Sequence, residues 1–396
     1  MKRRTDVVVV GGGMVGATFA TAAAQAGFDV VVLDAGTPPQ APTGDRYAPR
    51  VVALSGASRD TLMATGAWSH LEPSRVQVYE RMRVWDAAGA ALDDDALLFS
   101  AQDIGAADLG CIAENDAVAA AAYSAAQAQS SISWQDGARV ADIAISERSA
   151  RVSLEDGQSV SGALVVAADG ARSASRDLLG VTVKRGDYQQ HAVVTHVTME
   201  QPHQETAWQR FLPSGPLALL PLADGRVSIV WSTDSNSAAE LCALENDAFC
   251  VRLTEASGGV LGAITECSER FTFPLGWLHV ERYTGERFAL MGDAAHVVHP
   301  LAGLGVNLGI ADAAELAAAL AVASAANSDI GGANVLRPYA RSRKSDNALM
   351  LESLTALNRL FGVDQFAASL VRRMGMRLVN RAAPLKRQFI KRAMGL

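Results

Sequence analysis

Residues 5–36 constrain the fold of this chain more than any other stretch. Thr5-Asp6-Val7-Val8-Val9-Val10 is a short β-branched run, as a strand buried on both faces requires. Gly11-Gly12-Gly13-Met14-Val15-Gly16 follows at once and opens a small-residue helix that stops at Gly27. Phe28 to Asp34 then reads as a second buried strand. This is a βαβ unit, whose parallel strands need a right-handed crossover, so the fold class is α/β. The G-x-G-x-x-G spacing is weak alone, but here a strand precedes it, a helix follows it and an acid ends the next strand. Gly11 permits the tight turn, Gly13 lets the backbone approach a pyrophosphate, and Gly16 allows close helix–strand packing. The helix N-terminus adds N–H donors and a positive dipole for phosphates. Asp34 is placed to accept from an adenosine ribose hydroxyl. At this point NAD(P) and FAD are both open.

Later motifs bear on that choice. Ala163–Ala168 and Phe288–Met291 read as buried strands that end in Asp169-Gly170 and Gly292-Asp293. The second leads through His299-Pro300 into Gly303-Leu304-Gly305-Val306-Asn307-Leu308-Gly309. A carboxylate at a strand end can bind a polyol such as the ribityl chain of FAD. A Gly-rich helix start can set N–H groups against the flavin pyrimidine ring.

With these three fingerprints in order, the sequence resembles the FAD-dependent aromatic hydroxylases typified by para-hydroxybenzoate hydroxylase. Within them it is most similar to the ubiquinone-biosynthesis hydroxylases, across essentially the whole chain. Supporting stretches are Arg50 to Ser55, Gly66-Ala67-Trp68, Val84-Trp85-Asp86, Ala113-Glu114-Asn115, Trp208 to Pro213 with Gly215 to Ala218, Leu220-Pro221-Leu222, Val230-Trp231-Ser232 and the final Ala393 to Leu396. The resemblance implies that Gly11, Gly13, Val15 and Gly16 hold the pyrophosphate region and Asp34 the adenosine ribose. It implies further that Arg50 reaches over FAD, that Asp169 supports the FAD phosphates, and that Asp293 binds the ribityl chain. Gly303, Gly305, Val306 and Asn307 would face the isoalloxazine, with His299 and Pro300 on the substrate side of it. Leu304 departs from the glutamine usual in the family, which touches substrate detail rather than flavin binding. The implied activity is hydroxylation of the ring of a polyprenylated phenol by O₂ via a flavin hydroperoxide, with electrons from NAD(P)H or a reductase protein. A soluble hydroxylase of a small phenolic acid, a prenyl-chain reductase and a largely non-catalytic FAD-binding subunit are the alternatives.

The resemblance divides the chain into a discontinuous Rossmann-like FAD-binding domain (1–75, 101–180 and 281–330), a mixed-sheet substrate domain (76–100 and 181–280) and a helical basic C-terminal region (331–396). Residues 51–70 read as helical, 238–256 as one helix, and Asp86 as a turn residue after Trp85. His191, His196 and His203 read mainly as solvent-facing or core residues, and Arg172 and Arg176 as local ion-pair or phosphate contacts. His296 and His299 have metal-like spacing, but no acid or cysteine completes a set, and Cys111, Cys242, Cys250 and Cys267 form neither a zinc ribbon nor a disulfide framework. No signal-peptide core follows Lys2-Arg3-Arg4, and the expected location is cytoplasmic, at most peripheral to the inner membrane.

The net charge of −7 hides an asymmetry. Residues 371–396 hold Arg372, Arg373, Arg377, Arg381, Lys386, Arg387, Lys391 and Arg392 and no acid, which leaves −15 on the other 370 residues. Such a body repels nucleic acid. The tail intersperses those charges with Leu370, Met374, Leu378, Leu385, Phe389, Ile390 and Met394, the pattern of basic amphipathic helices suited to a membrane surface or a protein partner.

Overall fold

The computed structural model describes residues 2–44, 47–300, 303–361 and 366–395. At its centre, Val7–Val10 pairs in parallel with Val30–Leu33 on one side and Leu164–Ala167 on the other. Phe288–Leu290 and Ile132–Gln135 extend the sheet in parallel, and Thr284–Gly285 closes one edge as a hairpin. Alternate valines serve opposite faces, as the two-residue period of a strand dictates. Val7 and Val9 pack with Phe19, Ala20 and Ala23 of the Met14–Gln25 helix and with Leu316 and Leu320 of the Leu304–Ala325 helix. Val8 and Val10 pack instead on Ile143, Val152 and Val160, from a small sheet formed by Lys2–Arg4, Ser159–Gly162, Ala150–Leu154 and Val140–Ile145. Both faces are thus covered, which is why Val7–Val10, Val30–Leu33 and Leu164–Ala167 carry no polar residue.

A second, nine-stranded sheet is organised around the 17-residue strand Val183–Met199, flanked by Phe271–Val280 and Val227–Asp234. Gly215–Pro221, Thr206–Leu212, Arg81–Asp86 and Leu97–Ser100 continue it. Trp85 and Trp208 meet edge to face, with centroids 6.4 Å apart, in the core between this sheet and the helices Ser235–Ala243 and Asn246–Ser257.

Three expectations change. Val51–Leu54 is a strand, paired antiparallel with Gly110–Glu114, and only Gly56–Ala64 behind it is helical. Residues 238–256 belong to two helices, broken at Leu244–Glu245, where the backbone turns extended to cap the second one. Asp86 ends a strand instead of sitting in a turn; it is 2% exposed and accepts from Arg372 Nε at 2.6 Å.

That last contact belongs to a set. The helices Ala333–Phe361, Phe366–Arg381 and Ala383–Ala393 form the C-terminal region. Arg373 pairs with Asp95 at 2.5 Å and Lys386 with Asp103 at 2.7 Å, so among the described residues three basic residues of the tail are held by acids of residues 86–103. Met376, Ile390 and Met394 are buried against the same part of the molecule, whereas the side chains of Leu370, Leu385 and Arg392 lie outside the described residues. Among the described residues one helix, Gly305–Ala325, has the length and hydropathy to cross a membrane, but its Leu316 and Leu320 are fully buried in the central core.

Candidate flavin site

The first turn is built by what glycine lacks. Gly11 has φ +98°, and a Cβ there would lie 2.4 Å from the Ala168 carbonyl oxygen. A Cβ on Gly16 would lie 2.0 Å from the Gly11 oxygen, so both positions are closed to any side chain. Gly13 is the opposite case: it is exposed, and a Cβ would meet nothing within 4 Å. Gly13 caps the Met14–Gln25 helix without any side-chain hydrogen bond, which leaves first-turn N–H donors facing that open space. Asp34 accepts from Gly12 N at 2.6 Å and from Gly36 N at 2.8 Å. A carboxylate has about four acceptor sites, so capacity remains for a ribose hydroxyl. An open cradle of helix N–H donors beside a fixed carboxylate fits the pyrophosphate and ribose of an adenine dinucleotide.

The other two fingerprints converge on the same place. Val15 packs where a Cβ on Gly292 would sit 3.3 Å away and one on Gly309 only 2.6 Å away, so the first helix, the Gly292-Asp293 turn and the Leu304–Ala325 helix interlock around one side chain. Asp293 reaches solvent yet is crowded by surrounding protein, as on the floor of a cleft. Burial pushes its carboxyl pKa up, opposed by the nearby charges of His296 and Arg50. The Arg50 guanidinium lies over the Phe273 ring, 5.4 Å from its centroid, at the junction with the second sheet. Its backbone is fixed locally: Asn115 N donates to the Arg50 oxygen at 3.0 Å, and the buried Glu114 accepts from Ala48 N at 2.5 Å while pairing with Arg75. His196, from the second sheet, reaches the Ala48 carbonyl at 2.9 Å, whereas His203 meets the Leu222 carbonyl and His191 the Ser235 hydroxyl. Among the described residues, no hydrogen bond or ring contact joins these three histidines to the fingerprint turns.

Gly303 starts the third fingerprint with φ +64°, packed so closely on Ala53 that a Cβ would come within 2.8 Å. Asn307 spends its whole side chain on that junction. Its Oδ1 accepts from Ser55 N at 2.9 Å, and its Nδ2 donates to the carbonyls of Ala53 (2.7 Å) and Gly303 (3.2 Å). Only its backbone is then left for a ligand. Gly305 and Val306 are half-buried beside it, Val306 against the cluster of Met14 and Ala17, and the Leu304 side chain lies outside the described residues. Along the other flank of this helix runs an open cavity of about 590 Å³, lined by Ser55, Ser58, Asn307, Leu308, Arg343 and Met350 among others.

Asp169 turns inward. It accepts from the Ser173 hydroxyl and from Ser175 N at 3.0 Å, which shapes the Asp169-Gly170 turn itself. Arg176 is buried and makes a local ion pair with Asp177 at 3.5 Å; its guanidinium also donates to the carbonyls of Ala171 at 3.2 Å and Ala294 at 3.3 Å, tying this turn to the Asp293 turn. Arg172 stays exposed. His299 is fully buried, its ring edge-on to Tyr188 with centroids 4.9 Å apart, and neither ring nitrogen meets a partner among the described residues. Burial pulls its pKa down to about 4, so it is neutral near pH 7. Next to it Val298 joins an apolar layer with Val84, Phe211, Leu354 and Met376, while Pro300 is exposed.

Sequence reasoning missed a group behind the Asp293 turn. Asp312 is fully buried and accepts from Gly292 N (2.9 Å), His296 Nε2 (2.5 Å), Arg343 Nε (2.7 Å) and Asn347 Nδ2 (3.2 Å). Its signal in the sequence is an acid three residues after Gly309, followed by Glu315 at i+3, on an alanine-rich helix that packs against the turn.

Residues 4–348 match the FAD binding domain family. Over 390 residues the chain is 36% identical to a ubiquinone hydroxylase, UbiL, of Rhodospirillum rubrum, covering 98% of this chain and 89% of that protein. It is 33% identical to the human mitochondrial ubiquinone biosynthesis monooxygenase COQ6, covering 97% and 91%. Among solved structures, p-nitrophenol 4-monooxygenase PnpA of Pseudomonas putida superimposes with TM-score 0.79 at 19% identity, covering 100% of this chain and 99% of that one. PqsL of P. aeruginosa, solved with 2-aminobenzoylacetate, does so with TM-score 0.76 at 24% identity, covering 94% and 99%. These two likenesses concern the fold.

Proposed function

The chain belongs to the FAD binding domain family, and from that premise we propose that it is an FAD-dependent monooxygenase that hydroxylates the aromatic ring of a polyprenylated phenol in ubiquinone biosynthesis. The observation that carries this reading is the interlocking of the first helix, the Gly292-Asp293 turn and the Leu304–Ala325 helix around Val15, with the Asp169 turn packed on Gly11, in a chain related over nearly its full length to ubiquinone hydroxylases. When bound, reduced FAD supplies the activation of O₂ for transfer of one oxygen atom to an electron-rich ring. The chain's own residues bind, orient and exclude water. Gly11, Gly13 and Gly16 receive the pyrophosphate, Asp34 the adenosine ribose and Asp293 the ribityl chain, with Asp169 shaping the turn behind them. The backbone from Gly303 through Gly305 to Asn307 faces the flavin ring, with Val306 closing its inner side and Arg50 reaching over it. His299, held neutral in an apolar surrounding, lies with Pro300 on the substrate side, where the Val298 layer keeps water from the reacting ring. In this division residues 1–75, 101–180 and 281–330 serve the flavin and residues 76–100 and 181–280 the substrate. Electrons arrive from NAD(P)H docking transiently or from a reductase protein.

The test is mass spectrometry of quinone intermediates from a strain lacking the gene, with and without the gene restored. A product that gains one oxygen atom on restoration is expected. One that gains two hydrogens instead would make the protein a prenyl-chain reductase, and restoration by a protein unable to turn over its flavin would make it a binding subunit.

The same substrate class gives the C-terminal region a role at an anionic membrane surface. Leu378 (68% exposed), Met374 (63%) and Phe389 (48%) stand free on the last two helices. Arg377, Arg381, Arg387 and Lys391 are exposed among them. Apolar side chains rimmed by cations suit the headgroup layer, where each basic residue contributes about 1 kcal/mol. The protein then works from the cytoplasmic side as a peripheral partner of the membrane. Reversing Arg377, Arg387 and Lys391 to Glu should abolish salt-sensitive sedimentation with anionic liposomes, and unchanged sedimentation would remove this role.

A further inference from the structure

The Asp293 turn is short, and its shape is dictated from behind. Gly292–Ala294 forms a single 3₁₀ turn that starts with Gly292 at φ +57°, a conformation the strand before it does not impose. Asp312 binds the residues on both sides of Asp293 with the same oxygen, Gly292 through its N–H and His296 through Nε2. Its other oxygen is held by Arg343 and Asn347 from the Ala333–Phe361 helix, and Asn347 also donates to the Tyr283 hydroxyl at 3.1 Å. Tyr283 in turn stacks on the His296 ring with the two planes 16° apart. Burial alone would raise the Asp312 carboxyl, but His296 and Arg343 outweigh it and hold it below the ordinary carboxylate range, so the group is an anion.

A buried ion network of this kind is a poor source of stability, because desolvating the charges offsets most of their attraction. What it supplies is direction. Every acceptor site of Asp312 is taken, so the turn it grips has one arrangement, and that arrangement leaves Asp293 exposed, its carboxylate without a hydrogen-bond partner among the described residues. We propose that Asp312, braced by Arg343 and Asn347, is the positioning residue for Asp293: it sets the turn in its cofactor-receiving shape before FAD arrives. This rests on the reading of Asp293 as the ribityl-binding carboxylate.

A double-mutant cycle on the full-length apoprotein tests it, with FAD dissociation constants from flavin fluorescence and apoprotein melting followed in parallel. Asp312→Asn keeps the size of the side chain and removes its charge, and should weaken FAD about ten-fold in the parent. In the Asp293→Ala background the same change should weaken FAD less than about two-fold, because the carboxylate it aims is gone. Equal weakening in both backgrounds would make Asp312 a general structural residue and overturn the positioning role alone, as would parental affinity in Asp312→Asn. Parental affinity in Asp293→Ala would overturn the ribityl reading and this assignment with it. Should Asp312→Asn not fold, Asn347→Ala takes its place in the cycle, with a smaller loss expected to vanish in the same background.

Discussion

Two turns meet at the Val15 side chain and are made by opposite means. The Gly11–Gly16 turn is shaped by the absence of side chains: Gly11, Gly12 and Gly16 have no room for a Cβ, and Gly13 faces open space. The Gly292–His296 turn is shaped by the presence of charge, with an aspartate and an arginine arriving from helices that begin 12 and 41 residues further on. The first is a backbone device: its own six residues supply the glycines, and the neighbours that close it are the Gly11 and Ala168 carbonyls and the Trp134 ring. The second is a long-range one, whose geometry is only as good as the packing of two helices behind it. Binding elements made of bare backbone are rigid and hard to tune, whereas one held by a charge network can be altered from a distance.

The comparison breaks most sharply at Gly16. Gly16→Ala forces a methyl against the Gly11 carbonyl, and should weaken FAD by about a hundred-fold or more while lowering the melting temperature of the apoprotein. A variant that keeps its flavin and its stability would mean that the turn yields, and that the backbone device is not rigid.

Acid should separate the two turns next. A histidine lies buried just beyond the second turn, and none lies in the first. His299 has its pKa pulled down from 6.5 to about 4 in the fold. The unfolded chain therefore binds the extra proton first, so the stability tied to neutral His299 is complete above pH 6.5 and is lost as the pH falls to 4. The loss is about 3 kcal/mol. His299→Leu should flatten the unfolding free energy between those limits by that amount in denaturant titrations; an unchanged slope would show that the ring is hydrated in the native state.

Asp293→Ala comes third. Hydrogen bonds to a charged acceptor contribute about 1.5–3 kcal/mol, so FAD should bind roughly ten- to a hundred-fold more weakly with the melting of the apoprotein unchanged. Asp156→Ala, in an exposed turn, is the proper control, since Asp86 is locked to Arg372. The smallest effect belongs to Gly13→Ala. Its methyl would touch nothing in the apoprotein, so stability should move by less than about 0.5 kcal/mol while FAD binding drops a few-fold. Lost stability there would mean the open space is not the phosphate cradle.

How much of this was legible in the sequence follows the same local-to-distant divide. The first turn, its strands and Asp34 could be read directly because the glycine spacing, the valine runs and the acid that mark them all lie within residues 5–36, although Ala168 and Trp134 complete the packing. The Asp293 turn could be located but not its bracing, since Asp312, Arg343 and Asn347 signal nothing until two helices are packed together. Val51–Leu54 looked helical because its pairing partner, Gly110–Glu114, is about 60 residues away, and an apolar run beside a helix carries no period of its own. Asp86 looked like a turn acid because its arginine lies 286 positions later. The tail showed its charges plainly, yet which of them are spent on Asp86, Asp95 and Asp103 is a fact of tertiary pairing.

The order of the central sheet also sets a timetable for synthesis on the ribosome. Val7–Val10 emerges first, but the strand that covers its second edge, Leu164–Ala167, is translated about 160 residues later, and Phe288–Leu290 later still. At about 5–20 residues per second, the most hydrophobic strand in the protein waits roughly 10–30 s with one side unpaired. An exposed valine-rich edge of that kind invites pairing with other nascent chains. The chain should therefore depend on chaperone protection early in its synthesis, and fragments that stop before residue 164 should aggregate rather than fold.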